Sequence, residues 1–214
     1  MMKKILLIGG GGHCISVIDS IEKIGTYEIA GIIDTADKVG NKVGGHPIIG
    51  TDDDLETFYS RGITNAFMTL GSIGDTELRR KLFRQCEAHG FSFPVIMDPS
   101  AVVASFTTIG NGTYIGKGAI VNREVSIGKN AILNTGCIIE HNCHIGDFVH
   151  IAPRGTIAGN VCIGHNTHIG IGATVIEGKT IGNDVFVGAS SNVIHNIKHN
   201  AKAYGNPCKV VEPR

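Results

Sequence analysis

The sequence predicts a small Rossmann-like α/β domain followed by an all-β parallel β-helix built from hexapeptide repeats. Three observations carry that prediction. Residues taken six apart from Val103 to Val193 are all Ile, Leu or Val, an unbroken series of sixteen positions. The next position is usually Gly (110, 116, 128, 146, 164, 170, 182, 188), and the position four after the aliphatic residue is usually small or β-branched, as in Thr113, Ala119, Cys137, Cys143, Thr167 and Ala173. A fixed short period of this kind marks a solenoid. Residues 1–96 lack the period and alternate short apolar runs with helical patterns, as a parallel α/β unit does.

Taken in order, residues 3–8 (KKILLI) are a continuous apolar run suited to a buried parallel strand. Glycines 9 to 12 and His13 follow, and apolar residues from Ile15 to Ile24 fall at helical spacing. A second strand is expected over 28–33, ending at Asp34. A strand, a glycine turn, a helix and a strand with an acidic end form a nucleotide-binding pattern. The full dinucleotide fingerprint is absent, because its third glycine falls on Cys14. The motif therefore favours a nucleoside diphosphate over NAD, although a plain tight turn between strand and helix fits it too. Gly11, Gly12, His13 and Asp34, with Gly71 after the third strand, are the candidate substrate-binding residues.

Residues 45–50 read as a turn into an edge segment, and 51–62 as a helix with a capping start, an acidic first turn and a glycine stop. Residues 66–70 are expected as a third strand, and 75–89 as an amphipathic helix burying Leu78, Leu82, Phe83 and Cys86. Residues 93–97 are expected as a last strand, and Asp98-Pro99 marks the boundary. The expected domains are 1–96, a β-helix over 97–198 and a cap over 199–214 that covers the end of the solenoid.

Each hexad is one short strand and a corner. The aliphatic residue fills the inside, the small residue fits where the wall bends, and Gly or Asn supplies corner backbone angles. Cys137 and Cys143 occupy the small inward position, so the six cysteines read as reduced thiols, not disulfides. Net charge is zero, there is no Trp, and no basic run stands out, which argues against a nucleic-acid partner. No apolar stretch is long enough for a membrane span, and the expected location is cytoplasmic. No metal is expected. His150 and His168, eighteen apart, should stack on adjacent coils.

The segment NTGCIIEHNC at 134–143 brings a histidine into the repeat at His141. Acyl transfer from a thioester to an amine or hydroxyl needs a base at neutral pH, and histidine is suited to that work. Here the chain resembles bacterial sugar acetyltransferases of the PglD/NeuD type. The resemblance runs the whole length: GGGGH, IIDT, LGS, DPSAVV, IEH, AGN and the GNPCK tail. It implies a left-handed β-helix and a homotrimer. It also implies acetyl-CoA as co-substrate and a nucleotide amino sugar, UDP-linked in expectation, held by the N-terminal domain. It makes His141 the base and places the Gly159 amide near the thioester. His150 then lines the same cleft, and Pro207 and Lys209 are further cofactor contacts. One departure concerns Asn142, where relatives carry an acidic residue that steadies the imidazolium; an amide oxygen can fix the tautomer without a charge. The alternatives are O-acetylation of a sugar such as sialic acid, or a nucleotide-binding solenoid without chemistry.

Overall fold

The structure is a computed structural model and describes residues 2–213. It divides into two compact units, Met1–Ser72 with Thr76–Pro99, and Ile73–Asp75 with Ser100–Arg214.

The first unit contains β1 (Lys3–Ile8), α1 (Gly12–Ile24), β2 (Tyr27–Ile33), β3 (Lys42–Val43), β4 (His46–Gly50), α2 (Leu55–Ser60), β5 (Asn65–Met68) and α3 (Glu77–Ala88). Its sheet runs β3-β4-β2-β1-β5. β1 is parallel to both β2 and β5, and β4 is parallel to β2. The central strand buries Ile5, Leu6, Leu7 and Ile8, so a continuous apolar run rather than an alternating one is what the position demands. α1 packs inward through Cys14, Val17, Ile18 and Ile21 and stops at Gly25, whose left-handed backbone (φ 68°) returns its N–H to the Ile21 carbonyl. The expected start of the second helix is also present: the Asp54 carboxylate accepts the Thr51 N–H at 2.9 Å, and a 3-10 turn over Asp52–Asp54 leads into α2.

The strand expected over 93–97 does not join this sheet. Only Ile96–Met97 is extended as a strand, and the neighbouring segment touches β5 by a single bridge between Asn65 and Ser92. Pro94 explains the loss, since it has no N–H to donate to a ladder. Phe93 is used for packing instead, its ring 4.4 Å from that of Phe83.

The second unit is a parallel β-helix. Sixteen strands of two residues run from Val102–Val103 to Asn192–Val193. They stack on three faces, each strand pairing with the one eighteen residues on, as Ile120 with Ile138 and Ile138 with Thr156. The aliphatic residue of the hexad is the second residue of every strand, and from Ile115 to Val193 each is at most 4% exposed. Val103 and Ile109 are half-buried, because the first coil has a neighbouring coil on one side only. Glu124, Asn130, Asn142, Phe148, Arg154, Asn160 and Asn166 turn the corners with φ between 52° and 60°, a conformation Asn tolerates better than most residues.

Ala119, Ala131, Cys137, Cys143 and Val149 line the inner corners with no exposure. Where the small residue is polar it is satisfied. Thr113 donates to the Gly128 carbonyl at 2.8 Å and accepts the Ala131 N–H at 3.1 Å, and Thr167 does the same with Gly182 and Val185. Burial pushes the Cys137 thiol up to about 12, and all six cysteines are unpaired by disulfides. At the far end Ala201–Tyr204 pairs parallel with Phe186–Val187 and antiparallel with Lys209–Pro213. Among the described residues, no helix is long and apolar enough to cross a membrane.

Candidate active site

His141 and Asn142 form the corner between the strands Ile138–Ile139 and His144–Ile145. His141 Nδ1 lies 2.9 Å from Asn142 Oδ1. An amide oxygen can only accept, so in the neutral ring this bond calls for the proton on Nδ1 and leaves Nε2 as the acceptor. The amide is oriented in turn, because Asn142 Nδ2 donates to Glu124 Oε2 at 2.9 Å from the adjacent coil. On the other side lies Gly159, eighteen residues on. A Cβ there would sit 2.6 Å from His141 Cε1 and 2.8 Å from Nε2, so the imidazole lies over the glycine and its free nitrogen faces that backbone. The Asn160 N–H, bonded to the His141 carbonyl at 3.0 Å, ties the two coils together.

The Gly159 N–H differs from equivalent amides at another corner. There Lys129 N–H donates to Asp147, Asp147 N–H to His165, His165 N–H to Asn183 and Asn183 N–H to His199, each acceptor supplied by the coil above. At Gly159 the corresponding side chain is that of Glu177, which takes an amide hydrogen of Asn160 at 3.4 Å. The Gly159 N–H has no hydrogen-bond partner among the described residues, and the residue is buried beneath the His141 ring.

The other candidates near His141 are engaged elsewhere. Glu140 accepts from Asn122 at 2.9 Å, and Asp147 Oδ2 stands 3.7 Å from His165 Nδ1. His144 is exposed, with Ser126 Oγ 2.6 Å from its Nδ1. His150 and His168 do lie on adjacent coils, their rings edge to face with centroids 4.9 Å apart, and His168 stacks on Phe186 at 5.0 Å. They occupy the face of Tyr114–Ile115 and Ile132–Leu133, so a single chain does not bring His150 to His141. Pro207 and Lys209 belong to the terminal turn and strand, beyond the last coil.

In the first unit the glycine turn follows β1 where the sheet order reverses, with β2 on one side of β1 and β5 on the other. That is the switch point at which such sheets bind ligands. Gly9 is required there twice over, by φ 102° and because a Cβ would lie 2.6 Å from Leu70 Cγ. Gly11 caps α1, and a side chain at Gly11 or Gly12 would meet open space. Gly71 lies beside His13, its Cβ position 3.6 Å from that of His13. The helix N-terminus thus presents N–H groups and positive partial charge at the ends of β1 and β5, as an anion site requires.

Asp34 also has a local task. Its Oδ2 accepts the Gly10 N–H at 2.8 Å, and Oδ1 accepts the Thr35 N–H at 2.7 Å and Lys38 Nζ at 2.9 Å. Partial burial works to raise its pKa, but the Lys38 hydrogen bond and the two backbone N–H groups outweigh it and hold the carboxyl below its ordinary range. Asp34 therefore clasps the glycine loop. Beside it a cavity of about 120 Å³ is bounded by Gly9, Asp34, Thr35, Asp52, Leu70 and Leu78. Sequence reasoning missed Asp52, which reads as one residue of an acidic helix start. It also missed Glu124, whose signal was its spacing of eighteen from Asn142.

Fold and site together define a hexapeptide-repeat acyltransferase. The PglD N-terminal domain family matches residues 4–86. PerB from Caulobacter crescentus, solved in complex with CoA and GDP-perosamine, is 36% identical over 99% of each chain, with a TM-score of 0.92. The acetyltransferase domain of PglB from Neisseria gonorrhoeae is 31% identical over 98% of this chain and 100% of that one, with a TM-score of 0.89. WeeI from Acinetobacter baumannii, 21% identical over 99% of this chain and 100% of that one, shares the fold with a TM-score of 0.86. A search of curated proteins returned no match. The chain belongs to the PglD/NeuD-type sugar acetyltransferases, as the motif order implies.

Proposed function

We propose that the protein transfers an acetyl group from acetyl-CoA to the amino group of a nucleotide-linked amino sugar, with His141 as general base. The observation that carries this reading is the Nδ1 hydrogen bond of His141 to Asn142, which in the neutral ring leaves Nε2 as the accepting nitrogen, on the side of Gly159. The sugar's neutral amine attacks the thioester carbonyl carbon, and Nε2 takes the proton that the nitrogen loses. The carbonyl oxygen becomes an oxyanion, which the Gly159 N–H is free to meet. Collapse of the tetrahedral intermediate expels the CoA thiolate, and the imidazolium returns a proton to that sulfur, giving the amide and CoA.

The amides of the glycine turn hold the diphosphate and Asp34, which clasps that turn, faces a ribose or base group, so the first unit selects the nucleotide and the second performs the transfer. Matched structures support the substrate class: PerB was solved with CoA and GDP-perosamine, the PglB domain with acetyl coenzyme A, and the perosamine enzyme also with a histidine replaced by asparagine or alanine. The working form is proposed to be a homotrimer, in which a neighbouring copy can offer the face that carries His150.

Acetyl transfer should be measured against a panel of GDP- and UDP-linked amino sugars, with the matching hydroxy sugars and free sialic acid as controls. Turnover confined to the nucleotide amino sugars is the expected result. Faster acetylation of hydroxyl acceptors would replace the reading with O-acetylation, and no thioester consumption with any acceptor would sink it.

A further inference from the structure

We infer that Glu124 is a positioning residue for His141, acting through the side-chain amide of Asn142. The inference rests on the reading of His141 as the base and names what sets its tautomer. Glu124 and Asn142 are vertical neighbours on one corner of the β-helix, eighteen residues apart, with nearly equal left-handed φ of 60° and 58°. Their side chains therefore leave adjacent coils from matching backbone. The carboxylate of Glu124 can only accept, so it draws the Nδ2–H of Asn142 to itself at 2.9 Å. That orientation turns Oδ1 towards the ring, and Oδ1 can only accept the Nδ1–H of His141.

Without the carboxylate the amide is free to turn over. It would then offer N–H to Nδ1 and favour the tautomer protonated at Nε2, which cannot take a proton from the substrate. Glu124 thus supplies from the coil below what an acidic residue at position 142 would supply directly. Arg123 lies on the carboxylate's other side, its Nε 3.6 Å from Oε1, while its guanidinium lies 4.2 Å over the Phe106 ring. Neighbouring carboxylates do not compete, since Glu140 is held by Asn122 and Glu177 by Asn160. Glu124 orients and takes no part in the proton transfer: the proton taken from the amine resides on Nε2, and Nδ1–H remains bonded to Oδ1 when the imidazolium forms.

The test uses full-length protein with ¹⁵N-labelled histidine, read by long-range proton–nitrogen correlation of the His141 ring in its neutral form and paired with steady-state kinetics. The wild type should show the Nδ1–H tautomer. Glu124→Ala should shift it towards Nε2–H and lower kcat by roughly 10- to 100-fold, the usual effect of losing a group that orients a functional histidine. KM for acetyl-CoA should hold. Glu124→Gln can still accept through its amide oxygen, so it should keep the tautomer and lose less turnover. An unchanged tautomer in Glu124→Ala would overturn the proposal. A tautomer that moves while kcat stays put would support the positioning and remove the base role from His141, which separates failure of the inference from failure of the proposed function.

Discussion

The imidazole of His141 fills the space in which a side chain at residue 159 would begin, its Cε1 only 2.6 Å from that point. Gly159→Ala should therefore push the ring away without unfolding the coil, since the backbone there is not left-handed. Turnover should fall by about 100-fold, the scale of a displacement near 1 Å at a reacting group. Kinetics beside circular dichroism would check it, and wild-type kcat in a folded variant would show that the ring's position is not used.

His141 is exposed, so its removal should leave stability alone and strike only the chemistry. His141→Ala is expected to lower kcat by about 10²- to 10⁴-fold, the usual contribution of a general base. Activity near that of the wild type would pass the role to His144 first.

Replacing Asn142 by Asp is not the simple gain that a charge beside His141 suggests, because it sets a second carboxylate against Glu124, 2.9 Å from the present amide nitrogen. One of the two must then hold a proton or turn away. Asn142→Asp should be slower than Asn142→Asp combined with Glu124→Gln, in which an amide faces the new carboxylate. A double-mutant cycle on kcat measures the coupling, and additive effects would mean that the two side chains act independently.

Asp34→Asn should raise KM for the nucleotide sugar and leave that for acetyl-CoA unchanged, because the clasp on Gly10 belongs to the first unit alone. It should also change the response to acid. The folded pKa of Asp34 is lowered, so its stabilising effect is complete above roughly pH 4 and disappears as pH falls through the folded value. The stability gap between wild type and variant in urea unfolding should therefore be present at neutral pH and shrink on acidification. A gap that widened in acid would contradict the clasp.

The β-helix was legible because its period of six fixes both which residue points inward and where the wall turns. The aliphatic and small positions fall inside as the spacing requires, from Ile115 and Ala119 onward. The corner that carries His141 was legible only in part. His141 announces itself by residue type, but Asn142 has two reasons to be Asn: its left-handed corner and its bond to the ring. Reading Glu124 as its partner needs the side-chain direction, which spacing alone does not give. In the first unit Gly12 and His13 belong by residue type to the glycine turn, glycine being a poor helix former, yet α1 begins there under the pull of its buried face. Asp34 was recognisable as the acidic end of a strand, whereas its grip on the loop depends on how β1 and β2 lie side by side.

Pairing at an interval of eighteen residues makes height along the solenoid a matter of counting. Copying one such block in the gene would raise everything after it by one storey, roughly 4.8 Å, with inward residues still inward and corners still corners. Losing a single codon would instead rotate the downstream sequence against its supports, exposing aliphatic residues and burying polar ones. The reach between His141 and the C-terminal cap is thus quantised. Evolution can lengthen or shorten it in whole storeys, and the intermediate lengths are closed to it.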